Sequence, residues 1–159
     1  MSFDQAKAFE SWDGLAQQAR GLLSGETHRI ANAANLAALI FNSLPDLNWA
    51  GFYFVEQDEL VVGPFQGQPA CVRIAPGKGV CGTAMVTRET QRVEDVEAFA
   101  GHIACDPNSR SEVVVPLILG SEVIGVLDID SPKPGRFSDA DARGFERLAE
   151  IYLESLRRL

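Results

Sequence analysis

Three observations predict an α+β fold with a central antiparallel sheet and helices packed on its faces. Apolar residues recur at helical spacing at both ends of the chain and alternate with period two in several runs between residues 48 and 132. Two of the alternating runs are joined by a Gly120-Ser121 pair, which reads as a hairpin. Hairpin-linked strands with helices gathered at the ends suit a sheet covered by helices. The predicted layout is N-terminal helices over 4–44, sheet and loops over 48–132, and a C-terminal helix over 138–158.

The first helix, Asp4 to Leu23, rests on Ala8, Trp12, Leu15, Ala19, Leu22 and Leu23, with Asp4 as N-cap and Gly25 just past the end. The second, Thr27 to Leu44, carries Ile30, Ala33, Ala34, Ala37, Ile40 and Phe41 and stops before Pro45. From Asn48 to Val55 the residues are aromatic and β-branched. Alternation there puts Trp49, Gly51 and Tyr53 on one face, and Ala50, Phe52 and Phe54 on the other. Leu60 to Gly63 and Cys71 to Ile74 read as short strands separated by a loop around Phe65 to Pro69, and a short helix runs from Gly79 to before Arg88.

Residues 94–110 show little periodicity, and Gly101, Pro107, Asn108 and Ser109 mark a long loop of the kind that tends to carry function. The hairpin follows, with strands Glu112 to Leu119 and Glu122 to Asp130 around a Gly-X turn. The last helix starts at an N-cap, Ser138, and lines up Phe145, Leu148, Tyr152 and Leu156 on one stripe.

At 159 residues and 46% hydrophobic, the chain can bury a core without disulfide or metal staples. Its 22 acidic and 14 basic residues give a net charge of -8, which argues against nucleic acid and anionic membrane as partners. The start, Met1-Ser2-Phe3-Asp4, has no secretory pattern, and no apolar run approaches the ~20 residues of a membrane helix. A cytoplasmic protein is expected. In that compartment Cys71, Cys81 and Cys105 read as buried apolar residues, metal ligands or redox groups.

The cysteines are too far apart for a zinc knuckle, and His28 and His102 complete no ligand pattern with them, so no bound metal is expected. The glycine-rich stretch Pro76 to Ala84 either binds an anion at the start of the short helix or forms a tight turn whose glycines serve the backbone. Asp128 and Asp130, two apart on a strand, share one face. They form either a solvated strand end or a carboxylate pair that binds a cation or shares a proton. Cys105 lies in a polar loop, where a thiol is reachable, and reach is a condition of thiol redox chemistry.

Several motifs carry a family resemblance: Asn48-Trp49-Ala50-Gly51-Phe52-Tyr53, Leu60 to Gly67, Pro69-Ala70-Cys71, Gly77 to Gly82, Gly101-His102-Ile103-Ala104-Cys105-Asp106, Ser111 to Leu117 and Gly125 to Pro132. On these the chain resembles the free methionine-(R)-sulfoxide reductases, which are built on a single GAF domain. The resemblance implies a single GAF domain over 1–159. It implies Cys105 as nucleophile, Cys71 as resolving cysteine and Cys81 as an accessory thiol. Glu112, Asp128 and Asp130 correspond to the acidic residues of the family's pocket, with Glu112 or Asp128 as the acid. Trp49 corresponds to its aromatic wall, with Tyr53 beside it in binding substrate.

The implied reaction reduces free methionine-(R)-sulfoxide through a Cys105 sulfenic acid and an intramolecular disulfide, with thioredoxin as electron donor and no bound cofactor. The amphipathic terminal helices suit a homodimer. The competing readings are a GAF domain that binds a small molecule without reacting, or a redox sensor that forms the Cys71 to Cys105 disulfide without turnover. One geometric condition follows for the reductase reading. A regular ladder behind a two-residue turn sets Glu112 opposite Ile129, on the wrong side for Asp128 and Asp130. A β-bulge reconciles them, and Pro116, which cannot donate a ladder hydrogen bond, is the expected place.

Overall fold

In the computed structural model, which describes residues 9–103 and 105–157, the chain begins with two helices, α1 (Trp12–Leu22) and α2 (Arg29–Ser43). Strands β1 (Trp49–Glu56), β2 (Glu59–Gly67) and β3 (Arg73–Ile74) precede helix α3 (Gly79–Thr87). Then come β4 (Gln91–Val93), a single 3-10 turn at Val96–Ala98, the hairpin strands β5 (Ser111–Leu119) and β6 (Glu122–Ser131), and α4 (Asp139–Arg157). The strands form one antiparallel sheet in the order β3-β2-β1-β6-β5-β4, so β1 and β6 occupy its centre.

Helix starts follow capping chemistry. The Ser11 hydroxyl accepts the Gly14 N–H at 3.0 Å, so α1 starts at Trp12 and not near the expected N-cap Asp4, which lies outside the described residues. His28 Nδ1 accepts the Ala31 N–H at 3.2 Å and starts α2. Ser138 and Asp141 form a reciprocal capping box at the head of α4, with bonds of 3.0 and 3.1 Å.

Three elements of the sheet differ from expectation. Strand β2 runs on through Pro64 to Gly67, where a loop is expected from Phe65, because one extra residue of β2 is absorbed as a bulge between the Gly51 and Tyr53 positions. Strand β4 has no counterpart in the sequence reading, since three residues are too short to show a period. Cys71 lies in the loop ahead of β3, which is only two residues long.

Each face of the sheet has its own apolar cluster. Ala50, Phe52 and Phe54 of β1, with Val113, Val115, Leu117, Leu127 and Ile129, pack against α1, α2 and α4. Trp49 and Tyr53 point the other way, with Val114 and Val126, toward α3. This alternation is the one expected from the sequence. Val113 and Ile129 face each other on the first side, so Glu112 and Asp130 lie on the second.

The bulge that this requires is present but not at Pro116. From Ser111↔Ser131 to Leu117↔Gly125 the hairpin keeps one register, then slips by one residue between Leu117 and Ile118, leaving Ile124 as the extra residue of β6. Pro116 stays in the ladder opposite Val126. Its missing donor costs nothing toward β4, whose pairing with β5 stops at Val114.

Helix α4 meets α1 at Gly144, where an added Cβ would fall on the ring of Trp12. That ring packs edge-on against Phe145 at 4.9 Å and donates through Nε1 to Asp141 Oδ1 at 3.2 Å. Gly→Ala inside a helix normally gains up to ~1 kcal/mol. Here Gly144→Ala is expected to destabilise the fold by about 1–3 kcal/mol in urea unfolding, through overpacking.

Candidate active site

The second face of the sheet carries the polar groups. Across β6, Asp130 is flanked by Trp49 of β1 and Glu112 of β5, and Asp128 by Gly51 and Val114. A carboxyl on each of two neighbouring strands therefore meets a third one turn of the pleat away. Helix α3 covers them from above, and the loops before β3 and before β5 close the sides. The result is a pocket lined by Glu112, Asp128 and Asp130 at the sheet.

All three carboxyls are buried, at 5–8% exposure. Burial is the first cause that pushes each of them well above the usual carboxyl range, and crowding by the neighbouring carboxylates is the second. Among the described residues no basic side chain forms an ion pair with them. The three carboxyls hydrogen-bond one another where a proton is present, and where they are ionised Asp128 Oδ1 and Asp130 Oδ1 are buried without a donor. Such a site strongly favours a cation that brings its own N–H donors.

Cys81, on the first turn of α3, is buried with Sγ 4.0 Å from Glu112 Oε2. Burial, then the charges of Asp128 and Glu112, push its thiol well up, so it stays protonated and weakly nucleophilic. Cys81, Glu112 and Asp128 hold their donor atoms within 4.8 Å of one another and could ligate a metal ion. Cysteine and histidine spacing does not reveal this set, because two of its members are carboxyls brought in by the sheet.

Cys71 and Cys105 form a disulfide with a Cα–Cα distance of 5.3 Å, joining the loop before β3 to the loop before β5 at the edge of the pocket, which Cys105 lines. The first of these loops is held from β1. Trp49 Nε1 donates to the Gln68 carbonyl at 3.2 Å, and the Tyr53 hydroxyl to the Cys71 carbonyl at 3.0 Å. The hydroxyl of Tyr53 is thereby committed to the loop, and burial pushes its ionisation up, so what it offers the pocket is its ring. Trp49 stacks on Tyr53 and Phe65, with ring centroids 5.8 and 5.1 Å away.

Every site residue expected from the sequence except Cys71 lines the pocket, and Cys71 is bonded to one that does. The glycine-rich stretch follows the tight-turn reading. Gly77 and Gly79 adopt positive φ, while the start of α3, without a side-chain cap, borders the pocket beside Lys78. Lys78, His102, Asp106 and Ser109 also border the pocket without having been singled out as site residues. They sit in turns or loops, where no periodicity assigns a face.

The GAF domain family model matches residues 31–153. The free methionine-R-sulfoxide reductase of Escherichia coli is 52% identical over 139 residues, which cover 87% of this chain and 84% of that protein. The reduced form of fRMsr of Staphylococcus aureus superposes with a TM-score of 0.91 at 49% identity, over 96% of this chain and 99% of that one. An X-ray structure of free methionine-R-sulfoxide reductase from Neisseria meningitidis, in complex with its substrate, gives a TM-score of 0.90 at 40% identity and covers 95% of both chains.

The carboxyl cluster has a cost that depends on pH. Each folded-state pKa lies above the ordinary value of 3.8 for Asp or 4.5 for Glu, so the folded state binds more protons. Stability is therefore lost as pH rises from about 4 through the raised values. Asp130→Asn is expected to stabilise the ligand-free protein at pH 8 and to change little at pH 4, because the folded-state proton affinity of Asp130 is raised. Denaturant titrations at the two pH values measure this, and equal or lower stability of the variant at pH 8 contradicts it.

Proposed function

The chain belongs to the GAF-domain family of free methionine-R-sulfoxide reductases, and on that premise we propose that it is an oxidoreductase that reduces free L-methionine (R)-S-oxide to L-methionine. One observation carries the reading. A cysteine pair at bonding distance borders a pocket whose floor is three buried carboxyls with two unpaired oxygens.

In the proposed reaction the Cys105 thiolate attacks the sulfoxide sulfur while a carboxyl gives its proton to the sulfoxide oxygen. The oxygen passes to Cys105 as a sulfenic acid, and methionine leaves with its sulfur reduced by two electrons. The Cys71 thiol then attacks the sulfenic sulfur, water leaves, and the Cys71–Cys105 disulfide forms. A thioredoxin-type dithiol reduces that disulfide, so the electrons pass through thiols alone and the scheme uses no resident cofactor. Glu112 or Asp128 suits the acid, because burial and crowding raise the proton affinity of each carboxyl well above the ordinary range.

The remaining carboxylates, Asp130 foremost, would grip the α-ammonium of the substrate. A methionine within a polypeptide has no such group, which gives selectivity for the free amino acid. The uncapped first turn of α3 and the adjacent Lys78 suit the α-carboxylate. The rings of Trp49 and Tyr53 suit the S-methyl group, a sulfur–aromatic contact worth about 0.3–1.5 kcal/mol. Cys81, protonated and buried, acts in this scheme as an accessory thiol that shapes the wall.

The test is thioredoxin-coupled NADPH oxidation with each sulfoxide epimer, free and in a peptide. Turnover is expected with the free R epimer alone, a loss of at least about 1000-fold in Cys105→Ser, and a raised KM in Asp130→Asn. No turnover of the free R epimer, or full activity of Cys105→Ser, overturns the proposal.

A further inference from the structure

Residues 105–109 place Cys105, Asp106 and Ser109 on the pocket wall, yet they belong to neither helix nor strand. A reacting thiol on such a segment has to be held from outside, because small displacements from the reactive geometry are costly. The disulfide does this only while it is closed. Among the described residues, both hydrogen bonds that tie this segment to sequence-distant parts of the chain come from a single side chain. Asn48 Nδ2 donates to Asp106 Oδ2 and to Ser109 Oγ, each at 2.9 Å.

The two acceptors are themselves joined. Asp106 Oδ1 accepts the Asn108 N–H at 2.9 Å, and the Asp106 carbonyl accepts the Ser109 N–H at 3.2 Å, so a closed turn meets the amide as a unit. Asn48 is anchored in turn, since its backbone N–H donates to the Asp130 carbonyl at 3.0 Å and Trp49 follows it in the chain. One residue thus links the acidic floor, the aromatic wall and the Cys105 loop.

The residue type fits the task. An amide provides two donors in a fixed fork and adds no charge beside a cluster whose Asp130 already feels Asp106. A carboxylate at position 48 would face Asp106 with the same sign and no donor.

We propose that Asn48 is a positioning residue that holds the Cys105 loop against the head of β1, so that the reduced thiol stays within reach of Cys71 and of the pocket. The inference rests on the reductase reading for its catalytic consequence and on geometry alone for its effect on the cysteine pair. A part that merely stabilises the fold would weaken the oxidised and reduced protein alike. A positioning part shifts the equilibrium between them, because the effective concentration of one thiol at the other depends on how the open loop is held.

The experiment equilibrates the full chain and its Asn48→Ala, Asn48→Asp and Ser109→Ala variants with glutathione redox buffers, alongside melting curves and steady-state kinetics. Expected are a fall of about tenfold in the disulfide equilibrium constant for Asn48→Ala and Asn48→Asp, and a smaller fall for Ser109→Ala, which keeps one of the two bonds. With sulfoxide, kcat should drop about tenfold while KM moves less than about threefold.

If Asn48→Ala does not fold, the isosteric Asn48→Asp and the milder Ser109→Ala decide the matter. A disulfide equilibrium within twofold of the wild type in the folded variants overturns the inference, even if their melting temperatures fall. Failure of the wild-type chain to turn over sulfoxide overturns the reductase reading instead, and the glutathione equilibrium still tests Asn48.

Discussion

A single extra residue in β6 governs what this protein can hold in its pocket. Side chains on a strand alternate with a period of two, so a slip of one residue moves every side chain beyond it to the other face. The slip at Leu117/Ile118 lies close to the hairpin turn, and the whole of β5 from Ser111 to Leu117 inherits the shifted register. Without it, Glu112 would be driven into the apolar layer under α4, and Val113 would face the pocket. With it, Glu112 stands opposite Asp130, and one face of the hairpin carries three carboxyls while the other keeps its uninterrupted apolar surface.

Concentrating three buried acids in one place opposes folding, and the rest of the architecture offsets this. The opposite face of the same strands buries Phe52, Leu117, Leu127 and Ile129 completely against three helices, which makes β5 and β6 stiff enough to present the acids at fixed positions. In the proposed reaction the raised proton affinity of the cluster supplies the acid for the sulfoxide oxygen, and the carboxylates that stay ionised hold the ammonium group. The same logic accounts for the state of Cys81: a thiol sharing the cluster is kept protonated, whereas Cys71 and Cys105 sit at the pocket rim on loops. The division of labour proposed among the three cysteines follows from where the sheet puts its negative charge.

The rim is the other half of the design. Two loops from opposite edges of the sheet must meet for Cys71 and Cys105 to bond, and each is held by β1 or by the residue ahead of it. Trp49 and Tyr53 reach the Cys71 loop, and Asn48 reaches the Cys105 loop. A short stretch at the head of one central strand therefore supports both thiols and supplies the aromatic wall. Hydrogen bonds from this one stretch hold both of the irregular loops that the disulfide joins.

The course of the helices, the hairpin and the inward and outward faces of β1 were legible in the sequence because they depend on local periodicity, whereas the start of α1 fell to the Ser11 cap and not to Asp4. Family motifs spread over residues 48–132 led to the cysteines, the acids and Trp49, although spacing alone left Asp128 and Asp130 as readily a solvated strand end. Other features depend on contacts between residues far apart in the chain, and no local pattern records them. These are the position of the bulge at Leu117/Ile118 rather than at Pro116, the commitment of the Tyr53 hydroxyl to Cys71, the donor set of Cys81, Glu112 and Asp128, and the grip of Asn48 on a loop some sixty residues away. The sequence by itself determined which residues could react and which faces they could occupy. Only tertiary pairing decided which of them meet, because register and loop closure depend on the energy of the whole packed sheet and not on any one segment.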